Sequence, residues 1–276
     1  MKNRSLARIA SASSLTLMLT CGFAHAQTNT PLSGSYGVLI HQSFATSIGQ
    51  KGFVVVGVLN LDGAGNATGQ FAFQNGANSS HPAQTRSVTL AGTYSTNPDG
   101  TGSLTLGVEG DLTFTFAMVI TEGGQSLQLA ATKCNMGANS CGSDPIVTTG
   151  SGRATKGGAS TLNGTYGFLS NTVPVPASIV GVMAFDGAGN ATMSFTHVGI
   201  PNNDPSGALP TASATWSGTY SINPDGTGTI TFTPPPDQSP EVTVAFVATD
   251  GGSRLLLLQT GAGLDSNVSF GTARLQ

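Results

Sequence analysis

The chain is poor in the residue types that most enzyme and nucleic-acid chemistry relies on. Its 276 residues include only 3 cysteines, 4 histidines and 1 tryptophan, and Asp, Glu, Lys and Arg together make up 8%. With no Lys/Arg cluster to hold phosphates, the sequence argues against nucleic acid or anionic lipid as a partner. No window sustains a helical apolar period. Also missing are a Gly-x-Ser-x-Gly elbow, an HExxH pair and a glycine fingerprint opening a helix. These absences exclude the commonest hydrolase, zinc-protease and dinucleotide-dependent classes, and no cofactor or metal is expected.

One apolar run stands out, at the start. Lys2, Arg4 and Arg8 precede an apolar stretch over 9–23, followed by Ala24-His25-Ala26. A basic start, a short apolar core and a small-x-small site read as a secretory signal over 1–26. Ser and Thr interrupt the run, which disfavours a retained membrane helix, so no membrane span is expected in the mature chain. Cys21 follows Thr20 rather than the Gly, Ala or Ser of a lipid-anchor site. Removing the signal takes three of ten basic and none of thirteen acidic residues, so seven against thirteen leave a mature net charge of −6. The expected location is secreted or periplasmic.

The rest of the chain says nearly everything twice. Residues 59–73 read LNLDGAGNATGQFAF and 183–197 read MAFDGAGNATMSFTH; residues 92–102 read GTYSTNPDGTG and 218–228 read GTYSINPDGTG. A period of about 125 residues is far longer than the roughly 20–50 of a solenoid unit, so each copy should close its own core. The boundaries follow: a first repeat over 27–155, a small flexible linker over 156–161 and a second repeat over 162–276.

Period-two alternation recurs throughout, as in Leu112, Phe114, Phe116, Met118 and Ile120, and both copies read as all-β. Eight strands are expected in the first copy, near 33–41, 52–61, 67–74, 85–95, 102–107, 111–121, 125–133 and 146–154. The second repeats them near 163–170, 178–185, 191–198, 211–221, 227–233, 241–249, 253–260 and 267–275. The fold class is thus two tandem eight-stranded antiparallel up-and-down β-barrels, closure being the natural way to remove sheet edges.

Three connections in each copy are compact Gly- and Asn-containing turns that barely differ between copies: Asp62-Gly63-Ala64-Gly65-Asn66, Asn97-Pro98-Asp99-Gly100 and Glu122-Gly123-Gly124, with their twins. Turn chemistry is sufficient to explain them, whereas the EF-hand pattern lacks its distal Glu. The alternate connections are mostly longer and differ between copies. In a meander the conserved turns all fall at one end, a floor, and the divergent loops at the other, where binding residues usually sit.

All four tyrosines lie in Gly-x-Tyr triplets at the floor: Tyr36, Tyr94, Tyr166 and Tyr220. The last strand of each copy brings Arg153 or Arg274 to the same end. Closure therefore predicts a guanidinium over a ring, Arg153 on Tyr36 and Arg274 on Tyr166, worth roughly 0.5–2 kcal/mol. With the tyrosines inward, parity sends Val38 and Ile40 inward in one copy and Trp216 in the other, with Phe71, Phe195 and Phe270 as further apolar walls. His41, His81 and His197 belong to the loop-end rim.

In its Gly-x-Tyr start and late Arg, each copy resembles the calycin superfamily of lipocalins, fatty-acid-binding proteins, avidins and small bacterial metalloprotease inhibitors. Lipocalins open with Gly-x-Trp and set an Arg against that ring. The resemblance implies a closed floor and an open mouth, without naming a ligand. The expected function is a non-catalytic exported binding protein, taking a small apolar ligand or an envelope or extracellular protein at the loop end of each barrel. Alternatives are a structural surface module with filled barrels, a barrel-mouth isomerase or cyclase, and a sixteen-stranded outer-membrane pore.

After signal removal only Cys134 and Cys141 remain, and export allows them to pair. Peptide mapping of the oxidised mature chain should find them linked. Their reduction should lower stability by about 2.5 kcal/mol, the chain-entropy value for so short a loop.

Overall fold

The computed structural model describes residues 32–44, 53–75, 84–108, 112–136, 139–140, 146–155, 159–173, 177–199, 211–236, 241–261 and 268–276. The expected signal, the segment 156–158 of the linker, His81 and Cys141 lie outside them.

The first copy contains β1 (Ser33–Phe44), β2 (Phe53–Asp62), β3 (Asn66–Asn75), β4 (Gln84–Thr96), β5 (Thr101–Val108), β6 (Leu112–Thr121), β7 (Ser126–Met136), β8 (Asn139–Ser140) and β9 (Ile146–Ala154). The second contains β10 (Asn163–Val173), β11 (Ser178–Asp186), β12 (Asn190–Val198), β13 (Thr211–Ile222), β14 (Thr227–Thr233), β15 (Val242–Thr249), β16 (Arg254–Gln259) and β17 (Val268–Leu275). From β1 to β8 and from β10 to β17 each strand pairs antiparallel with the next, and β10 to β17 close into a barrel. In the first copy β7 pairs with β6 and β9, and β9 with β1, which seals an equivalent ring of eight. The two-residue β8, which periodicity did not foresee, folds back on β7 just after Cys134. Two separate rings rule out the single sixteen-stranded pore.

Alternation decides what fills each ring. Tyr36, Val38, Ile40, Phe71, Leu104, Phe116 and Leu127 form the first interior, and Tyr166, Met183, Phe185, Ile230, Phe232, Phe246 and Leu257 the second. A shift in register between Thr115 and Phe116 against β7 leaves Thr132 unpaired; its hydroxyl donates to the Thr115 carbonyl at 3.1 Å. Such a bulge bends the strand locally and helps the sheet curve.

A third apolar cluster lies between the barrels. Leu39, Val54, Val56 and Val58, on the outer face of β1 and β2, pack on Val247, Leu256 and Leu258, on the outer face of β15 and β16. Ala72, Ala245 and Phe270 complete it. These strands are apolar on both sides, as the unbroken runs Phe53-Val54-Val55-Val56 and Leu255-Leu256-Leu257-Leu258 imply. Each aliphatic side chain so buried contributes roughly 1.5–3 kcal/mol relative to exposure. Gly37 makes the approach possible, since a Cβ there would stand 2.4 Å from Thr249 Cγ2 and 2.7 Å from Val247 Cγ1.

Polar contacts rim this interface. Arg153 Nε lies 2.8 Å from Asp250 Oδ2 of the second barrel, and its Nη2 lies 2.9 Å from Glu122 Oε2 of its own. The Thr85 hydroxyl donates to the Thr260 carbonyl at 2.9 Å. His41 stacks on Phe270, ring centroids 4.7 Å apart, with Nε2 3.1 Å from Thr149 Oγ1. Its Nδ1 is buried without a partner among the described residues, and burial holds the ring's pKa below its usual value.

A histidine whose folded pKa lies below its unfolded value of about 6.5 contributes fully above that value, and the contribution is lost as the pH falls from there through the lower folded pKa. Thermal stability of the protein should therefore decline between pH 7 and pH 5, with a slope of up to about 1 kcal/mol per pH unit. His41→Asn, which installs the residue that the second copy carries as Asn171, should flatten that slope in pH-dependent melting curves.

Candidate binding site at the barrel mouths

The floor is closed by tyrosine hydroxyls, each of which reaches a backbone carbonyl. Tyr36 Oη donates to the Gly124 carbonyl and Tyr166 Oη to that of Gly252, both at 2.7 Å. Tyr220 Oη donates to the Leu162 carbonyl at 2.7 Å and accepts from the Leu162 N–H at 3.2 Å. Tyr94 Oη donates to the Leu32 carbonyl and accepts from the Gly63 N–H. Leu32 and Leu162 are themselves buried as plugs. Burial first, and the neighbouring tyrosine second, raise the phenol pKa of Tyr36 and Tyr166, so both stay neutral donors.

The expected arginine contacts with these rings are not made. Tyr36 lies opposite Ala154 and Tyr166 opposite Leu275, whereas Arg153 and Arg274 oppose Gly37 and Gly167. Directly opposed residues share a face. Both arginines therefore project outward while the tyrosines project inward, and Arg153 instead joins the two barrels through Asp250.

Four turn carboxylates at the floor are occupied by their own turns, and those of Glu122 and Asp250 by Arg153. Asp62 Oδ1 accepts from the Ala64 and Asn66 N–H groups at 2.7 and 2.9 Å, and Asp186 does the same with Ala188 and Asn190. Asp99 Oδ1 accepts from the N–H and hydroxyl of Thr101, and Asp225 from those of Thr227. Hydrogen bonds to Asn66, Thr101 and Asn190 hold Asp62, Asp99 and Asp186 below the ordinary carboxylate range. Among the described residues, no group of three or more His, Cys, Asp and Glu side chains is arranged to hold a metal.

The interiors open at the other end. In the second barrel Phe168, Ile179, Met193, Phe195, Trp216 and Val244 surround a cavity of about 100 Å³, with Ser170, Gln259 and Ser269 as its polar lining. Phe195 meets Trp216 edge-on at 4.7 Å. The buried Trp216 Nε1 has no partner among the described residues. No lining residue is charged. The matching space in the first barrel is about 30 Å³, lined by Ile40, Phe53, Phe73, Val88 and Phe114, with Arg86 resting 4.9 Å above the Phe73 ring. A single water needs roughly 10–15 Å³ on this measure. The first barrel is thus nearly filled and the second is not.

Of the residues expected at the site, Ile40 lines the first cavity, and Trp216 and Phe195 line the second. Val38 and Phe71 lie deeper, in the packed interior. Phe270 faces outward rather than inward: the parity that sends Ser269 and Ala273 into the barrel sends Phe270 onto His41. His41 accordingly sits in the interface between the barrels, not on a rim open to ligand. His197 opposes Ile179 at the mouth end of β12. Ile179, Met193 and Val244 were not singled out from sequence, although counting in twos from Tyr166 and Tyr220 and across the register reaches them.

No family model matches the chain, and no curated protein matches it. Among solved structures it is similar to CghA with Sch210972, at 7% identity over 88% of this chain and 89% of that one, TM-score 0.27. It is also similar to a protein of unknown function of the DUF3598 family from Nostoc punctiforme, at 10% identity over 92% and 98%, TM-score 0.23. At such scores neither likeness bears on function.

Removing one floor hydroxyl leaves a buried carbonyl without its donor. Tyr166→Phe should cost about 1–3 kcal/mol in urea unfolding with an unchanged slope, and Tyr36→Phe a similar amount.

Proposed function

We propose that this chain is an exported, non-catalytic binding protein in which the mouth of the second barrel takes a small neutral apolar molecule, while the first barrel is largely solid support. The observation that carries the reading is the uncharged cavity of about 100 Å³ beside Trp216. A cavity of ~150 Å³ accommodates a benzene ring, so one of about 100 Å³ encloses most of such a ring and leaves the rest of the ligand in the open mouth. The free Trp216 N–H and the Gln259 amide favour a single hydrogen-bond acceptor on that ligand. The absence of a charged wall disfavours an ion.

Export rests on the leader over 1–26, and the calycin-like reading on the closed floor beneath an open mouth. A disulfide between Cys134 and Cys141 belongs to the same picture of an oxidising compartment. Against catalysis, His41 meets Thr149 and Phe270 and, among the described residues, no carboxylate.

Trp216 is the chain's one tryptophan, so its emission reports on the cavity directly. Titrating the mature protein with cyclohexanol should give a saturable spectral shift, cyclohexanecarboxylate should give none, and Ile179→Phe, which fills the mouth, should abolish the response while the protein still melts cooperatively. Equal binding of the carboxylate, or no saturable response to a panel of neutral compounds of about this size, would overturn the assignment.

A further inference from the structure

Duplication gives every residue of the inter-barrel contact a twin. On the presenting side, Leu39, Val56 and Val58 of β1 and β2 correspond to Leu169, Val180 and Val182 of β10 and β11: Leu39 opposes Val56 as Leu169 opposes Val180, and Gly37 opposes Val58 as Gly167 opposes Val182. On the receiving side, Val247 and Ala245 of β15 correspond to Val119 and Ala117 of β6, counted from the matching Asp250-Gly251-Gly252 and Glu122-Gly123-Gly124 turns. The first set of each pair is packed between the barrels, Ala245 partly buried and the rest buried. The twins face solvent.

We propose that the outer face of β10 and β11 docks on the outer face of β6 and β7 of a second copy of this chain, repeating between chains the contact that joins the two barrels within one. Large apolar side chains are costly to leave in water and rarely cluster without a partner. Five stand exposed among the described residues, and four of them fall on these two faces: Leu169 at 50%, Val180 at 50% and Val182 at 38% on the presenting side, and Val119 at 46% on the receiving side. The presenting face also keeps its glycine. At Gly37 a side chain would collide with the other barrel, and at Gly167 a Cβ would meet only the Gln276 side chain within its own barrel.

Charge complementarity points the same way. Arg153 is held by Glu122 of its own barrel and Asp250 of the other. Its twin Arg274 is exposed and directly opposes Arg254, a like charge, and no ion pair of Arg274 is formed among the described residues. In the repeated contact the twin of Asp250 is Glu122 of the next chain, which would lie against Arg274. Its carboxylate is already 55% exposed.

The repeated contact is weaker than the original. Ser178 replaces Val54 and Thr196 replaces Ala72 on the presenting face, while Gln128 replaces Leu256 and Ala130 replaces Leu258 on the receiving one. The association is therefore reversible and concentration-dependent. Because the two faces differ, it is head-to-tail and builds chains or rings rather than stopping at a twofold dimer.

Sedimentation velocity of the mature protein from ~10 μM to ~1 mM spans the range of weak, reversible association. It should show a mass that rises past the dimer or settles at a closed ring. Val180→Asp on the presenting face and Val119→Asp on the receiving face should each weaken association by about tenfold or more. An equimolar mixture of the two variants should form a one-to-one pair that grows no further, since each retains the face that the other lacks. Arg274→Glu, which leaves the apolar faces intact, should weaken assembly as well, and circular dichroism melts should show all three variants folded. A wild-type protein that stays monomeric across the range would overturn the proposal. So would association abolished by Val180→Asp but indifferent to Val119→Asp, which would mean that β10 and β11 meet their own copy face to face.

Discussion

The tyrosine hydroxyl at the floor is the constraint from which the rest of each barrel follows. A phenol can be buried at low cost only if its O–H finds an acceptor, and here the ring lies inside the barrel while the oxygen reaches a carbonyl of a floor turn or of the residue just before the first strand. One inward ring then determines the side of every residue along its strand, because the period is two, and of every residue opposite it through the register. Phe185 shows how tightly the floor is built, standing edge-on to both Tyr166 and Tyr220 at 5.3 and 5.2 Å.

With the inward set determined, the outward set was free to acquire a second role. In β2 and β16 both sets are apolar, so each strand belongs to a barrel interior on one side and to the inter-barrel cluster on the other. The charged residues follow from this arrangement. Three of the seven basic residues beyond residue 26, Arg153, Arg254 and Arg274, gather beside Glu122 and Asp250 at the floor end of the interface. Burial and the neighbouring arginines hold Arg254 below its usual pKa. Glu122 and Asp250 take positive φ at 54° and 53°, a backbone region that disfavours such residues, and both carboxylates are turned toward Arg153.

Floor and mouth thus divide the work. At the floor Asp62, Asp99, Asp186 and Asp225 are bound by their own turns and Glu122 and Asp250 by Arg153, which stiffens the turns and leaves little for a ligand. At the mouth the two copies differ most, and there one interior is nearly full while the other retains an uncharged space beside Trp216. The same divergence separates the outer faces, where Leu256 has become Gln128 and Val54 has become Ser178 between copies.

The eight barrel strands of each copy, the closure into two rings and the inward direction of Tyr36, Val38, Ile40 and Trp216 were legible from the amino-acid order, because alternation and turn chemistry are local and the duplication states them twice; the two-residue β8 was not. A Leu or Trp two residues before each Gly-x-Tyr glycine was equally visible, and it marks Leu32 and Leu162, the plugs that went unnoticed. What tertiary structure alone decided is what touches what across strands. Arg153 could be placed at the right end of the barrel but not on the correct face, because that depends on a one-residue register against β1. Phe270 and His41 were assigned to interior and rim, yet they meet between the barrels, since only packing determines which outward face is covered. Cavity size was undetermined for the same reason: it is the small difference between the space a ring encloses and the volume of the side chains sent into it, and no linear pattern records that difference.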